Sequence, residues 1–245
     1  MRGRAKDWDS HVIAAEELAR TPGFRRIRDR IVTLAEPQPA DIVVDVGAGT
    51  GLLTLALAPS VRTVWAIDVS PAMTEYVHAK ARSAALDNVA QVTATAVSLP
   101  LVDGAASLVV SNYCYHHLRD EHKERALAEA FRVLRPGGRI IIGDMMFRLQ
   151  PGDPRNRRVI TSKVRAILAR GPSGLLRLLK NVLRVLSRTW ERPADAEWWR
   201  AALQRAGFEQ IEIELLDHEG GIIAARHPPI AASRRRHPDL AALAA

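Results

Sequence analysis

The chain is predicted to be an α/β protein with a doubly wound, mostly parallel sheet, an antiparallel C-terminal hairpin and a helical insert. Three observations predict this. A glycine turn, Gly47-Ala48-Gly49-Thr50-Gly51, joins an apolar run to a helix-like one. From Asp41 to Gly143, β-rich runs alternate with helix-like segments, the pattern of parallel strands joined by right-handed crossovers. Only Asp217-His218-Glu219-Gly220 separates the last two apolar runs, too short for a crossover and sufficient for a hairpin.

Asp9 to Glu36 has helical spacing, with Val12, Ile13, Leu18, Phe24, Ile27, Ile31 and Leu34 as its apolar positions and a break at Thr21-Pro22-Gly23. The first strand is expected over Asp41 to Val46 and a helix from Leu52 to Ala58, ended by Pro59. Thr63 to Ile67 forms the second strand and stops at Asp68; Ser70-Pro71 supplies an N-cap and a first-turn proline for a helix over Ala72 to Ala84. Further strands are expected over Val89 to Val97, Ser107 to Ser111 and Arg139 to Gly143, with a helix from Glu121 to Leu134 before the last of these. A helix over Asp195 to Ala206 precedes the closing runs, Phe208 to Leu216 and Gly221 to Ala225.

The chain has 245 residues and 47% hydrophobic content, enough to bury one substantial core. Its net charge of +8 is local: Arg148 to Arg192 holds twelve Lys and Arg against two acids, leaving 23 basic and 25 acidic residues elsewhere, a balance of −2. A second basic cluster, Arg234-Arg235-Arg236, sits in a tail expected to be poorly ordered. One cysteine, Cys114, excludes an internal disulfide framework and a multi-cysteine metal site, and no metal is expected. No apolar run follows the charges of Met1 to Asp7, so no signal peptide is expected, and no window approaches the roughly 20 apolar residues of a spanning helix; the cytoplasm is the expected compartment.

In a doubly wound sheet the ligand lies outside the carboxyl ends of the strands, where strand order reverses. The glycine turn falls there, and glycines permit positive φ and close approach of a ligand to backbone. Its spacing is neither the G-x-G-x-x-G of dinucleotide sites nor that of a P-loop. Asp68, ending the second strand, can accept both hydroxyls of a ribose; alone it would read as a turn acid, but paired with the upstream glycine turn it favours a nucleoside ligand.

Val43-Val44-Asp45-Val46-Gly47-Ala48-Gly49-Thr50-Gly51 resembles the first motif of the class I S-adenosylmethionine-dependent methyltransferases. The resemblance continues through Ala66-Ile67-Asp68-Val69-Ser70-Pro71-Ala72-Met73, Ser98-Leu99-Pro100, Leu108-Val109-Val110-Ser111-Asn112-Tyr113 and Leu134-Arg135-Pro136-Gly137-Gly138-Arg139. It implies a seven-stranded Rossmann-like sheet with S-adenosyl-L-methionine across the first two strands. The backbone of Gly47, Ala48, Gly49, Thr50 and Gly51 would face the methionine part, Asp68 the ribose and Met73 the adenine, with Asp45 and Val69 also on the cofactor. Met73 is equally readable as an ordinary core residue. Where relatives often carry an acid after the third strand this chain has Thr95-Ala96-Val97, so the Thr95 hydroxyl or the backbone of Ala96 and Val97 takes that contact. Ser107 stands where many relatives carry Asp, which suggests a position tolerant of substitution.

Asn112-Tyr113-Cys114-Tyr115-His116-His117 follows the fourth strand, where cofactor and methyl acceptor would meet. Asn112 and Tyr113 are expected on the cofactor. His116 or His117 is a candidate base for a protonated acceptor, with Asp144 a further candidate; one histidine could equally pack under the loop. Cys114 reads as a packing residue. No Asn-Pro-Pro-Tyr or Pro-Cys pair marks amino-group or pyrimidine-ring methylation.

Gly174 to Trp190 has an apolar stripe, Leu175, Leu176, Leu179, Val182, Leu183 and Leu186, and a basic face, Arg177, Lys180, Arg184 and Arg188; a weaker amphipathic helix runs from Val159 to Ala169. Such a segment is a lid on the core, a contact for anionic membrane, or a nucleic-acid contact. Apart from Trp190 it lacks the aromatic residues that stack bases, which favours a hydrophobic or lipid-like small acceptor over RNA. A non-catalytic cofactor-binding or interaction protein is the remaining alternative. The expected organisation is an N-terminal helical cap over 1–38, a cofactor core over 39–147, the basic insert over 148–194, a completing helix and hairpin over 195–228, and a basic tail over 229–245.

Overall fold

The computed structural model describes residues 7–147 and 192–229, with residues 157, 158, 161, 164 and 165 between them. The two amphipathic basic helices expected at 159–169 and 174–190 therefore lie almost wholly outside the described residues, as does the Arg234-Arg235-Arg236 tail. Seven strands make one sheet: β1 Ile42–Val46, β2 Thr63–Asp68, β3 Val89–Thr93, β4 Ala106–Asn112, β5 Leu134–Met145, β6 Glu209–Leu215 and β7 Gly220–Arg226. Their order is β3-β2-β1-β4-β5-β7-β6. The first five are parallel, while β7 runs antiparallel to both β5 and β6. The predicted fold class holds, terminal hairpin included. Strand order reverses between β1 and β4, which places the crevice of the fold over their C-terminal ends.

The central strands β1, β4 and β5 are largely apolar and buried because the sheet is covered on both faces there. Val44, Val109, Ile140 and Ile142 pack with Ala126, Leu127, Trp199 and Leu203. The alternating neighbours Val43, Leu108, Val110 and Ile141 pack on the opposite face with Ile27, Ile31 and Leu57, as a period of two requires. The first layer comes from α5, Asp120–Val133, and α6, Ala196–Ala206; the second from α2, Pro22–Ala35, and α3, Thr54–Leu57. Also among the described residues are α1, Val12–Ala19, and α4, Pro71–Ser83. As predicted, Ser70 caps α4, its hydroxyl accepting from Met73 N at 3.1 Å, with Pro71 in the first turn.

Four expectations are corrected. Strand β3 ends at Thr93 rather than Val97, because Thr95 and Ser98 close a small turn through an isolated bridge. The helix after the glycine turn keeps only Thr54–Leu57 before a 3-10 turn over Ala58–Ser60. Ile13 and Leu18 are exposed, at 76% and 49%, rather than facing the core; α1 instead buries Glu16, which pairs with Arg20 and Lys80, both at 3.0 Å.

Ser107 is the fourth. It is buried and sits in a fully occupied polar node rather than at a tolerant position. Its hydroxyl donates to Asp41 Oδ1 at 2.6 Å and accepts from Ile42 N at 3.0 Å. Arg139 donates to Asp41 Oδ2 at 2.7 Å and to the Ala35 and Glu36 carbonyls at 2.6 and 3.0 Å. Burial pushes the Asp41 carboxyl up, but the Arg139 and Ser107 hydrogen bonds outweigh it and hold the group below the usual carboxylate range. The node joins the end of α2 to the starts of β1 and β4 and to Arg139 within β5. Ser107→Ala is therefore expected to destabilise the fold by about 1–3 kcal/mol, by leaving two buried partners short of a hydrogen bond; urea unfolding measures the loss.

Candidate active site

Strand β1 delivers the glycine turn to the crevice, where Gly47 N and Ala48 N donate to the Ile67 carbonyl of β2 at 2.8 and 3.0 Å. Gly47 has φ +71°, and a Cβ there would collide with Cys114 Sγ and Cβ. The turn that follows β4 thus packs directly on the turn that follows β1, and only glycine allows it. Gly49, at φ +52°, has nothing within 4 Å of where its Cβ would stand. Its backbone faces open space.

Asp68 ties the two strand ends together. Its Oδ2 accepts from Gly49 N at 2.8 Å and its Oδ1 from Ser70 N at 3.0 Å. Burial raises this carboxyl above its ordinary value, against the backbone hydrogen bonds from Ser70 and Gly49. Asp45 lies beneath the turn, 1% exposed, with Oδ2 accepting from Thr54 Oγ1 at 2.6 Å. Burial pushes its carboxyl up to about 7, opposed by Thr54 and reinforced by the Asp68 charge. Around this floor, Thr50 is buried and its carbonyl accepts from Lys80 Nζ at 2.9 Å. Val69 is 55% exposed and Met73 is buried. Ala94 N donates to the Asp68 carbonyl at 2.9 Å, bringing Thr95, Ala96 and Val97 alongside the end of β2.

On the β4–β5 side, Asn112 ends its strand with a buried Oδ1 that has no hydrogen-bond partner among the described residues. Tyr113 takes φ +54°, uncommon for a side chain of this size, and its N donates to the Gly143 carbonyl at 2.8 Å. Its ring lies 4.8 Å from that of Phe24, and its hydroxyl would be 2.9 Å from a Cβ at Gly220. The structure so places Tyr113 toward α2 and β7, away from β2. His116 and His117 share a 3-10 turn, Tyr115–His117, with ring centroids 3.9 Å apart. His116 Nδ1 lies 2.5 Å from Asp144 Oδ1 in β5, and both side chains are buried.

Cys114 lies between the two halves. Burial pushes its thiol up strongly, and Asp68, Asp144 and Asp45 add to the effect, so it stays protonated and packs.

Several contacts have no signal in the sequence because the partners are far apart in it. Asp9 Oδ1 accepts from the Ser70 hydroxyl and from Ala72 N, the latter at 3.3 Å. The neighbouring Trp8 packs its ring 4.5 Å from His117. Residues 8 and 9 thus span the cleft from the β2 side to the β4 side. Arg192 N donates to the His116 carbonyl at 2.7 Å, so the chain returns from the basic segment onto this turn.

The residues fit an S-adenosylmethionine ligand. Backbone at Gly49 is open to approach, Asp68 has acceptor capacity beyond its two N–H partners, and Asn112 Oδ1 is a buried acceptor wanting a donor. Asp45, Asp68 and Asp144 all bear on the Cys114 thiol, an acidic setting that suits a sulfonium cation.

The buried Asp45 makes stability depend on pH. A carboxyl whose folded value is raised from 3.8 to about 7 stabilises the fold fully below the lower value and loses that contribution as pH climbs through the upper one. Asp45→Asn is expected to flatten the fall in stability between about pH 4 and 7, measured by denaturant unfolding across that range.

A methyltransferase-domain family model matches residues 43–138. An uncharacterised methyltransferase of Anoxybacillus flavithermus is 31% identical over 145 residues, 58% of this chain and 64% of its own length. A malonyl-[acyl-carrier protein] O-methyltransferase of Hahella chejuensis is 38% identical over 127 residues, 50% of this chain and 43% of its own. The chain spans between half and two thirds of the first curated relatives it matches, 54%, 64% and 56%. Among solved structures, an S-adenosylmethionine-dependent methyltransferase from Aquifex aeolicus superposes with TM-score 0.62 at 17% identity, covering 91% of this chain and all of that one. The [4+2]-cyclase SpnF superposes equally well, TM-score 0.62 at 21% identity over 84% and 81% of the two chains, so fold alone does not name the reaction. Family model, relatives and sheet topology agree: residues 43–138 match a methyltransferase domain, and the chain is similar to the class I S-adenosylmethionine-dependent methyltransferases, which implies S-adenosylmethionine as the cofactor.

Proposed function

We propose that this chain transfers a methyl group from S-adenosylmethionine to a small, hydrophobic acceptor. The observation that carries the reading is the Asp68 carboxylate, half-buried at the end of β2 and fixed by Gly49 N and Ser70 N at 2.8 and 3.0 Å. Asp68 accepts from the ribose hydroxyls. The backbone of Gly47, Ala48, Gly49, Thr50 and Gly51, over Asp45, holds the methionine part, and Asn112 offers its unpaired Oδ1. Val69, Met73, Thr95, Ala96 and Val97 border the adenine.

When bound, the cofactor supplies an activated methyl, so the protein is left mainly with positioning. The rings of Trp8, Phe24, Tyr113, His116 and His117 lie close to one another after β4, which supports an apolar acceptor meeting the cofactor there. His116, His117 and Asp144 are the candidates for any proton the reaction releases. A relative named for O-methylation of a malonyl group on a carrier supports a small acyl-sized acceptor. RNA methylation and a purely binding role have no comparable support.

The organisation proposed for the chain follows the same division. Residues 1–38 cap the cleft, 39–147 hold the cofactor, 195–228 complete the sheet, and 229–245 form a basic tail. Residues 148–194 cap the acceptor side. That last assignment is supported by their flanks: Phe147 follows β5, whose Asp144 meets His116, and Arg192 is bonded to the His116 carbonyl.

Asp68→Ala is expected to weaken S-adenosylhomocysteine binding by about 100-fold or more in calorimetry, the equivalent of two charge-assisted hydrogen bonds of about 1.5 kcal/mol or more each. An affinity unchanged in a folded variant would reject the assignment.

A further inference from the structure

Tyr113 is held in an unusual conformation. Its φ of +54° is one that a large aromatic side chain rarely adopts, and its N donates to the Gly143 carbonyl at 2.8 Å. Asn112 of β4 pairs with Gly143 of β5, and Met145 of β5 pairs with Gly220 of β7. A ring that leaves the chain just after Asn112 and reaches Gly220 therefore crosses the C-terminal end of β5. That lies on the far side of β4 from the glycine turn and Asp68. The Phe24 ring stands 4.8 Å away and the His116 ring 5.8 Å, centroid to centroid. A Cβ at Gly220 would come within 2.9 Å of the Tyr113 hydroxyl, so glycine there leaves the room that the hydroxyl occupies.

This hydroxyl has no hydrogen-bond partner among the described residues. Tyr115, two residues on, gives the contrast. It is 0% exposed, and its own unpartnered hydroxyl is sealed in the core. The Tyr113 hydroxyl is not sealed, so a ligand can reach it. Unfavourable backbone conformations persist where the surroundings over-determine them, and they collect where a protein meets a ligand. Burial, reinforced by the Glu219 and Asp144 charges, pushes the Tyr113 phenol above its ordinary value, which keeps it a neutral O–H donor. The same two charges disfavour an anion beside it.

Resting on the methyl transfer proposed above, we infer that Tyr113 is a specificity-determining residue, whose hydroxyl donates a hydrogen bond to an uncharged carbonyl or ether oxygen of the substrate, remote from the atom that is methylated. The cofactor lies over β1 and β2, and the hydroxyl stands beyond β5. The substrate spans the distance between them, with its apolar body against the Phe24 and Tyr113 rings and its oxygen at the far end. Gly220 and the φ of Tyr113 together aim the donor there.

Tyr113→Phe removes one oxygen and keeps the ring, and three measurements on the full chain use it. Thermal unfolding without ligand is expected to match the wild type, because the hydroxyl has no internal bond to lose; a lowered Tm overturns the inference. Calorimetry is expected to give one Kd for S-adenosylhomocysteine in both proteins; weaker binding by the variant would put the hydroxyl on the cofactor and overturn it. Incubation of the wild type with methyl-carbon-13 S-adenosylmethionine and a fractionated cell extract identifies the methylated substrate. With that compound purified, Tyr113→Phe is expected to raise its KM about tenfold and to change kcat by less than about twofold. An unchanged KM, or a substrate with no carbonyl or ether oxygen apart from the methylated atom, overturns the inference. A wild type that fails to bind S-adenosylhomocysteine, or binds it and methylates nothing in the extract, defeats the methyl-transfer reading itself, and the inference falls with it.

Discussion

Two backbone N–H groups, from Gly49 and Ser70, converge on the Asp68 carboxylate, and the cleft depends on that convergence. It fixes the turn after β1 against the start of α4. Burial works against the charge there, raising the Asp68 carboxyl, so the arrangement is worth keeping only if something polar meets it. Next to it, Asp45 is raised further by its complete burial. Two carboxylates, both raised by burial, beneath one open glycine turn form a seat that is electrostatically incomplete by itself. A cation above it, or hydroxyls on Asp68, would restore the balance.

The sheet makes such a seat possible by being covered on both faces. Alternate residues of β1, β4 and β5 enter different cores, so the strands cannot slip by one residue without exchanging the two. With register fixed, the strand ends are fixed, and the turns after β1, β2 and β4 meet at one place. The contact of Gly47 with Cys114 shows how tightly they meet. At the other end of the strands, Arg139, Asp41 and Ser107 hold the sheet to α2. Polar bonding therefore brackets the apolar middle at both ends.

Much of this was legible in the sequence, and for physical reasons. The alternation of β-rich and helical runs, the Ser70-Pro71 cap and the short hairpin connection are local signals, and each element appears where its local chemistry puts it. The glycine turn and Asp68 were legible because both lie at strand ends in the order the fold requires. Other features depend on partners distant in sequence. Ser107 looked replaceable, since nothing nearby announces Asp41, and Ile13 and Leu18 looked buried, since helical spacing cannot show that Glu16 takes the inner face. The pairing of His116 with Asp144, 28 residues apart, and the reach of Asp9 to Ser70, 61 residues apart, appear only once the sheet has brought those segments together.

The account stands on one claim, that the paired turns around Asp68 are the seat of the cofactor. Amide hydrogen exchange, with and without S-adenosylhomocysteine, tests it most directly. With ligand at a hundredfold excess over its Kd, the amides of Gly49 to Gly51 and Ser70 are expected to slow by up to about 100-fold, and those around Trp8 and Asp9 to slow with them. Unchanged exchange at those amides while the ligand is demonstrably bound, or slowing confined to another part of the sheet, would contradict it.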